Sequence, residues 1–104
     1  MADHDAMMAR FVRDYLELLD HRVSSIRSHL EQRNFMTAHV ALLSLESTSV
    51  MVGAGALARA AGRLREAVEQ GERDTVPALL ADVSVAAERT RTELAGASAA
   101  PDAG

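Results

Sequence analysis

The longest helical pattern lies near the start of the sequence, from about residue 5 to residue 32, in a stretch without glycine or proline. Apolar residues recur there at steps of three and four residues, as they do along one face of an α-helix. These residues are Val12, Leu16, Leu19, Val23, Ile26 and Leu30, and Phe11, Tyr15 and Leu18 widen the stripe near its start. We expect a short helix that leads into a longer one, although no breaking residue marks the joint.

Two further helical patterns follow after short breaks. The second helix is expected over residues 35–52, with Asn34 as its N-cap. Gly53 suits the left-handed position that ends many helices. The third helix is expected over residues 54–70, and Gly71 ends it. The same spacing predicts the buried seams, which are Phe35, Ala38, Leu42, Leu45, Ser49 and Val52 in the second helix and Leu57, Ala61, Leu64 and Val68 in the third.

A fourth helix is expected after a cap at Asp74 or Thr75, and Pro77 is tolerated in its first turn. Residues 96–104 show no apolar period, so we expect a helical bundle over residues 1–95 and a disordered tail over 96–104. Short connections favour antiparallel neighbours. The sequence thus predicts an all-α fold, an up-down antiparallel four-helix bundle with a short extra N-terminal helix.

Composition narrows the possible functions. The 104 residues form one small domain. The absence of cysteine excludes thiolate nucleophiles and thiolate metal sites. A net charge of −4 without a basic stripe argues against nucleic acid as a partner, and the lack of a long apolar run argues against a membrane. We expect a cytoplasmic protein that is not an enzyme, with no cofactor and no metal site.

Several short stretches occur in a particular order along the second half of the chain. They are VGA at 52–54, ALARAAGRLRE at 56–66, EQGE at 69–72 and VPALL at 76–80. This ordered set resembles the histidine-containing phosphotransfer (HPt) domains of bacterial phosphorelays, over roughly residues 11 to 94. Those domains carry an L-G-A turn, a helix of the type L-A-x-x-A-x-x-L-E, a G-D or G-E turn, and a last helix that often opens with a run like P-A-L-L.

The same family carries a phosphoacceptor motif of the form A-H-x-L-K-G-S-S before its L-G-A turn. Counting ten residues back from Gly53 aligns that motif with LLSLESTS at 42–49. The family's buried leucine is then Leu45, and its hydroxyl pair is Thr48 and Ser49. The phosphoacceptor histidine falls on Leu43.

Three residues that carry the family's chemistry are replaced in this alignment. Leu43 has no nucleophile to accept a phosphoryl group. Glu46 replaces a lysine and would repel a group that carries about −1.5 to −2 charge, and Ser47 replaces the glycine. The resemblance therefore implies a degenerate member of the family, without phosphotransfer at residue 43.

The second helix also carries apolar residues outside its buried seam. The resemblance places Met36, Val40, Leu43, Val50 and Met51 on or beside the face where a phosphotransfer domain meets its partner. Exposed apolar patches often mark protein contacts, although some of these residues could instead pack under the first, short helix. We expect a receiver domain or a histidine kinase as partner, or a homodimer contact. The predicted partner-binding residues are Met36, His39, Val40, Leu43, Glu46, Ser47 and Val50.

Two alternatives remain open. His39 lies four residues before Leu43 and therefore shares its helix face, so it is a candidate for a displaced phosphoacceptor. The other reading of His39 is an ordinary surface histidine. A third interpretation of the whole chain is an unrelated helical adaptor or dimerisation module that is similar to the family through alanine and leucine repetition.

Overall fold

The protein is all-helical over the part of the chain that the structure describes. A computed structural model describes the backbone of residues 2–99 and the side chains of residues 6–96. Four α-helices follow one another: α1 (Ala2–Glu31), α2 (Phe35–Met51), α3 (Gly55–Glu69) and α4 (Val76–Ala99), with a 3-10 turn (Arg73–Thr75) before α4. The described residues contain no strand. The prediction of an all-α fold with four helices is confirmed.

The first helix differs from its prediction. It is one continuous helix of 30 residues, and the expected short extra N-terminal helix is not a separate element. Without a glycine, a proline or a capping geometry at a joint, nothing interrupts the backbone hydrogen bonds. The fourth helix extends to Ala99, which places residues 96–99 in a helix rather than in a tail. Residues 100–104 lie outside the described part of the chain.

The helix ends agree with the expected glycine positions. Gly53 (φ 80°) and Gly71 (φ 70°) both have the left-handed backbone that suits glycine. Arg33 shares this conformation with a φ of 61°, which the sequence pattern did not predict. Asn34 is the N-cap of α2 but makes no side-chain capping bond. Before α4, the hydroxyl of Thr75 donates to the carbonyl of Glu72 within the 3-10 turn, at 2.9 Å.

Each helix packs against the next one in the chain, and α1 also packs against α4. Side-chain hydrogen bonds join these pairs: the hydroxyls of Tyr15 and Ser49 share a bond of 2.7 Å, and Arg27 donates to the Ser84 hydroxyl at 2.9 Å. Leu18, expected in the buried stripe of α1, is about half exposed. The largest fully buried side chains are Leu19, Ile26, Leu42, Leu45, Ser49, Leu57, Leu64 and Val83.

We predict that two adjacent leucines on α2 differ sharply in their contribution to stability. Leu42 is fully buried, so Leu42→Ala leaves a cavity and should lower the free energy of unfolding by about 2–5 kcal/mol. Leu43 is half exposed, and Leu43→Ala should cost less than about 1 kcal/mol. Urea unfolding followed by circular dichroism measures both variants. Equal losses would contradict the orientation of α2.

Candidate functional site

The outward face of α2 carries a regular stripe of uncharged side chains. We call Met36, Val40, Leu43, Ser47 and Val50 the α2 outer stripe. All five are exposed; Met36 retains 82% of its accessible surface, Val40 61%, Leu43 46% and Val50 64%. Their spacing of four, three, four and three residues keeps them on one side of the helix. None of them packs into the core, so this apolar face is open to a partner.

The opposite face of α2 is buried. Ala38, Leu42, Leu45 and Ser49 have no accessible surface. Behind Ser49, the hydroxyl of Tyr15 makes the bond that joins α1 to α2, and burial raises the pKa of that phenol. This anchoring fixes the rotation of α2 about its axis.

Three hydroxyl groups of α2, those of Ser44, Thr48 and Ser49, are engaged within the fold. Thr48 donates to the carbonyl of Ser44 at 2.9 Å, the backbone bond that helix-interior hydroxyls commonly make. The Ser44 hydroxyl accepts a bond from Arg22 of α1 at 3.1 Å, and that of Ser49 bonds to Tyr15. Among the described residues, none of these three hydroxyl groups is bonded to a histidine or a carboxylate that could act as its base.

Glu46 is tied to α3 by an ion pair. Nε of Arg65 donates to Oε1 of Glu46 at 2.7 Å, and both side chains are partly buried. The carboxylate lies over Gly62, where a Cβ atom would stand only 2.9 Å from Oε2. The hydrogen bond to Glu46 holds the pKa of the Arg65 guanidinium above its usual range. The negative charge of Glu46, beside the α2 outer stripe, is thus balanced by the Arg65 guanidinium of α3.

His39 is held by a second carboxylate of α3. Its Nε2 lies 2.5 Å from Oε2 of Glu69, and the same oxygen accepts a bond from Arg65 at 3.0 Å. The hydrogen bond to His39, followed by that to Arg65, lowers the pKa of Glu69. Glu46, Arg65, Glu69 and His39 therefore form one polar chain along the junction of α2 and α3, which we call the α2–α3 polar chain.

His39 and Glu46 of the α2–α3 polar chain are among the residues predicted from the sequence, whereas Arg65 and Glu69 are not. In the sequence alone, the spacing of four residues between Arg65 and Glu69 predicts only a weak pair on a solvated helix face. Their contacts with Glu46 and His39 depend on how α3 packs against α2. No pattern along the chain gives that register.

Among the described residues, no group of histidine and carboxylate side chains is arranged to hold a metal ion. No described helix has both the length and the apolar character required to cross a bilayer. The predicted binding residues do come together: the α2 outer stripe lies in the open, with His39 and Glu46 along the edge that faces α3.

No protein-family model, no curated protein and no solved structure matches this chain. The resemblance to phosphotransfer domains therefore rests on the aligned residues of the chain alone. Among those residues, Leu43 is half exposed, and Leu45 and Ser49 are buried.

We predict that Glu69 makes stability depend on pH in the acidic range. Because its folded-state pKa lies below its usual value of 4.5, the contribution is present above that value and is lost as pH falls through the folded pKa. Glu69→Gln should therefore lower the free energy of unfolding near neutral pH, and the difference from the parent should shrink on acidification. Urea unfolding at a series of pH values measures this convergence.

The matched control is Glu66→Gln, which changes an exposed carboxylate on the same helix that makes no ion pair among the described residues. Convergence of the same size in this control would contradict the role assigned to the contacts of Glu69 with His39 and Arg65.

Proposed function

We propose that this protein is a degenerate phosphotransfer domain of two-component signalling, one that does not itself transfer phosphoryl groups. It binds a receiver domain or a histidine kinase through the α2 outer stripe, with Leu43 at its centre. The observation that carries the proposal is the outward position of Leu43 together with the burial of Leu45 and Ser49, the pattern that the aligned motif requires.

The position of each motif residue on the helix supports this alignment. In A-H-x-L-K-G-S-S the histidine must reach a partner and the leucine must pack inside. These two positions are two residues apart, which on an α-helix corresponds to about 200° of rotation about the axis. The histidine and leucine side chains therefore project from nearly opposite faces. Leu43 is about half exposed and Leu45 has no accessible surface. A shift of the alignment by one or two residues would lose this agreement.

The hydrogen bonds between helices support the up-down order that the resemblance implies. Tyr15 pairs with Ser49 and Arg22 pairs with Ser44, so residue numbers rise along α1 while they fall along α2. Between α1 and α4, Asp20 pairs with Arg91 and Arg27 pairs with Ser84, which gives the same opposed direction. Both sets of pairings support antiparallel packing of α2 and α4 against α1.

The surroundings of His39 argue against the displaced phosphoacceptor. A phosphoryl group on Nε2 would replace the contact with Glu69 and would set about −1.5 to −2 charge beside that carboxylate. The one cation of the α2–α3 polar chain, Arg65, is already bonded to both Glu46 and Glu69. Arg65 would have to give up bonds to these carboxylates before it could stabilise the product.

An apolar centre suits a docking role better than a transfer role. Interface cores are depleted in charged side chains, and the α2 outer stripe has none. Fully burying an exposed leucine contributes about 1.5–3 kcal/mol, and Leu43, which is about half exposed, can still gain roughly half of that. Such gains mostly slow dissociation. Replacing the family's histidine by Leu43 therefore favours a longer-lived complex over rapid exchange of phosphoryl groups.

We predict that Leu43→Asp weakens binding to the partner by at least about tenfold, because a buried carboxylate without a counter-charge opposes docking. The measurement is calorimetric titration against receiver domains and kinase dimerisation domains of the same organism. Val85→Asp is the matched control, since Val85 is an exposed valine on α4, away from the stripe. The proposal fails if Leu43→Asp binds every partner as tightly as the parent does.

We predict that restoring the motif creates a phosphoacceptor. A triple variant, Leu43→His, Glu46→Lys and Ser47→Gly, should gain an acid-labile phosphoryl adduct from a phosphorylated receiver domain, whereas the parent should gain none. Leu43→His alone keeps the Glu46–Arg65 pair and serves as a less disruptive second variant. Intact mass after incubation measures the adduct, with an ordinary phosphotransfer domain as positive control for the receiver.

Two other outcomes of this experiment have clear meanings. An adduct on the parent that disappears in His39→Ala would establish the displaced acceptor and contradict the alignment on Leu43. A triple variant that folds but accepts no phosphoryl group would favour the third interpretation, an unrelated helical adaptor or dimerisation module.

A further inference from the structure

The start of α1 extends beyond the rest of the bundle. At 1.5 Å per residue α1 is about 45 Å long, whereas the 17 residues of α2 span about 26 Å. The Tyr15–Ser49 bond lies close to the end of α2, so little of α2 remains to cover the residues that precede Phe11. Every described side chain from Ala6 to Arg10 is exposed. No described side chain of this segment is buried in the core, although Met7 and Met8 lie near Met51 at the end of α2.

The projecting segment nevertheless carries large apolar side chains. Met7 retains 67% of its accessible surface and Met8 45%. Together with Phe11 and Met51 they line an open cavity of about 240 Å³ at the end of α2; we call these four residues the N-terminal patch. A helical extension of roughly ten residues is marginal in water by itself, and a cluster of exposed apolar side chains marks a contact surface.

The charges of the segment indicate what covers it. The sequence is acidic before the patch, at Asp3 and Asp5, and basic after Met8, at Arg10 and Arg13. Two copies of the segment that pair antiparallel bring the acidic start of one copy beside the basic part of the other. A parallel pairing would oppose like charges instead. Such complementarity sets both orientation and partner choice.

We propose that the projecting start of α1 is a self-association element, in which the N-terminal patches of two copies pack against each other in an antiparallel, two-fold arrangement. Methionine adapts to imperfect surfaces, and the side chains of each copy fill the cavity of the other. The proposal does not depend on the proposed function, because none of the four residues of the N-terminal patch belongs to the α2 outer stripe.

The size of the patch sets the strength of the contact. Stable interfaces use about 20–30 residues on each side, and the projecting segment offers roughly half of that number. The dimer is therefore dissociable, with a dissociation constant on the order of micromolar rather than nanomolar. Monomer and dimer are both present over an accessible range of protein concentration.

Sedimentation equilibrium of the full chain, from about 1 μM to about 500 μM, tests the proposal. The parent should pass from monomer to dimer across this range. Met7→Glu with Met8→Glu should weaken association by at least about tenfold, because both residues become charged inside the contact. These side chains are exposed in the single chain, so the variant should keep the parent's helicity, and Val85→Asp is the matched control.

A charge exchange tests the antiparallel arrangement directly. Arg10→Asp with Arg13→Asp gives an acidic segment, and Asp3→Arg with Asp5→Arg gives a basic one. Each variant alone should self-associate more weakly than the parent, and the equimolar mixture should recover a dimer of the two. Recovery in the mixture supports the pairing of acidic and basic parts, because neither variant contains both.

Three outcomes would overturn the proposal. They are a parent that stays monomeric throughout the range, charge variants that show no recovery on mixing, and a dimer that Leu43→Asp dissociates while the Met7 and Met8 substitutions leave it intact. The last result would place the second copy on the α2 outer stripe. The N-terminal patch would then have no partner. The calorimetric titration described above would show separately whether Leu43→Asp also loses binding to a receiver domain or a kinase.

Discussion

The burial of one face of α2 determines what the rest of the molecule can present. Leu42 and Leu45 fill the core, and Ser49 bonds to Tyr15 from behind. Because a helix repeats every 3.6 residues, fixing these side chains inside forces Leu43 and its stripe outward. Rotating α2 to hide the stripe would expose Leu42 and Leu45 and break the bond to Tyr15, so the fold itself holds the apolar face open.

Arg65 gives the neighbouring edge its electrostatic character. An unpaired glutamate beside an apolar stripe would hinder any partner that desolvates it. The Arg65 guanidinium binds Glu46 and Glu69 at once, and Glu69 in turn holds His39. These four charged or polar side chains thus lie along the junction of α2 and α3, and the stripe beside them presents apolar side chains and one hydroxyl. The absence of a side chain on Gly62 allows the Glu46 carboxylate to lie close against α3.

The features that the sequence predicted well are those set by local spacing. The helix stops at Gly53 and Gly71 and the inward seam of α2 need no information from elsewhere in the chain. The prediction of a joint near the start of α1 was wrong, since no residue there breaks a helix. The role of Arg65 depends on the packing of α3 against α2. From the sequence alone, a glutamate at residue 46 predicts repulsion of a phosphoryl group. In the structure, the Arg65 guanidinium is the counter-charge of this glutamate.

Under the proposed alignment, Glu46 stands where phosphotransfer domains carry a lysine, and its ion pair with Arg65 affects more than that one position. A site that handles phosphoryl groups needs a cation whose hydrogen bonds are not already satisfied. Here the nearest cation, Arg65, is bonded to two carboxylates. A single change at residue 43 would therefore supply a nucleophile without supplying charge, and freeing Arg65 would require the loss of its carboxylate partners. The same ion pairs that join α2 to α3 thus disfavour a phosphoryl group there, which agrees with the binding role proposed above.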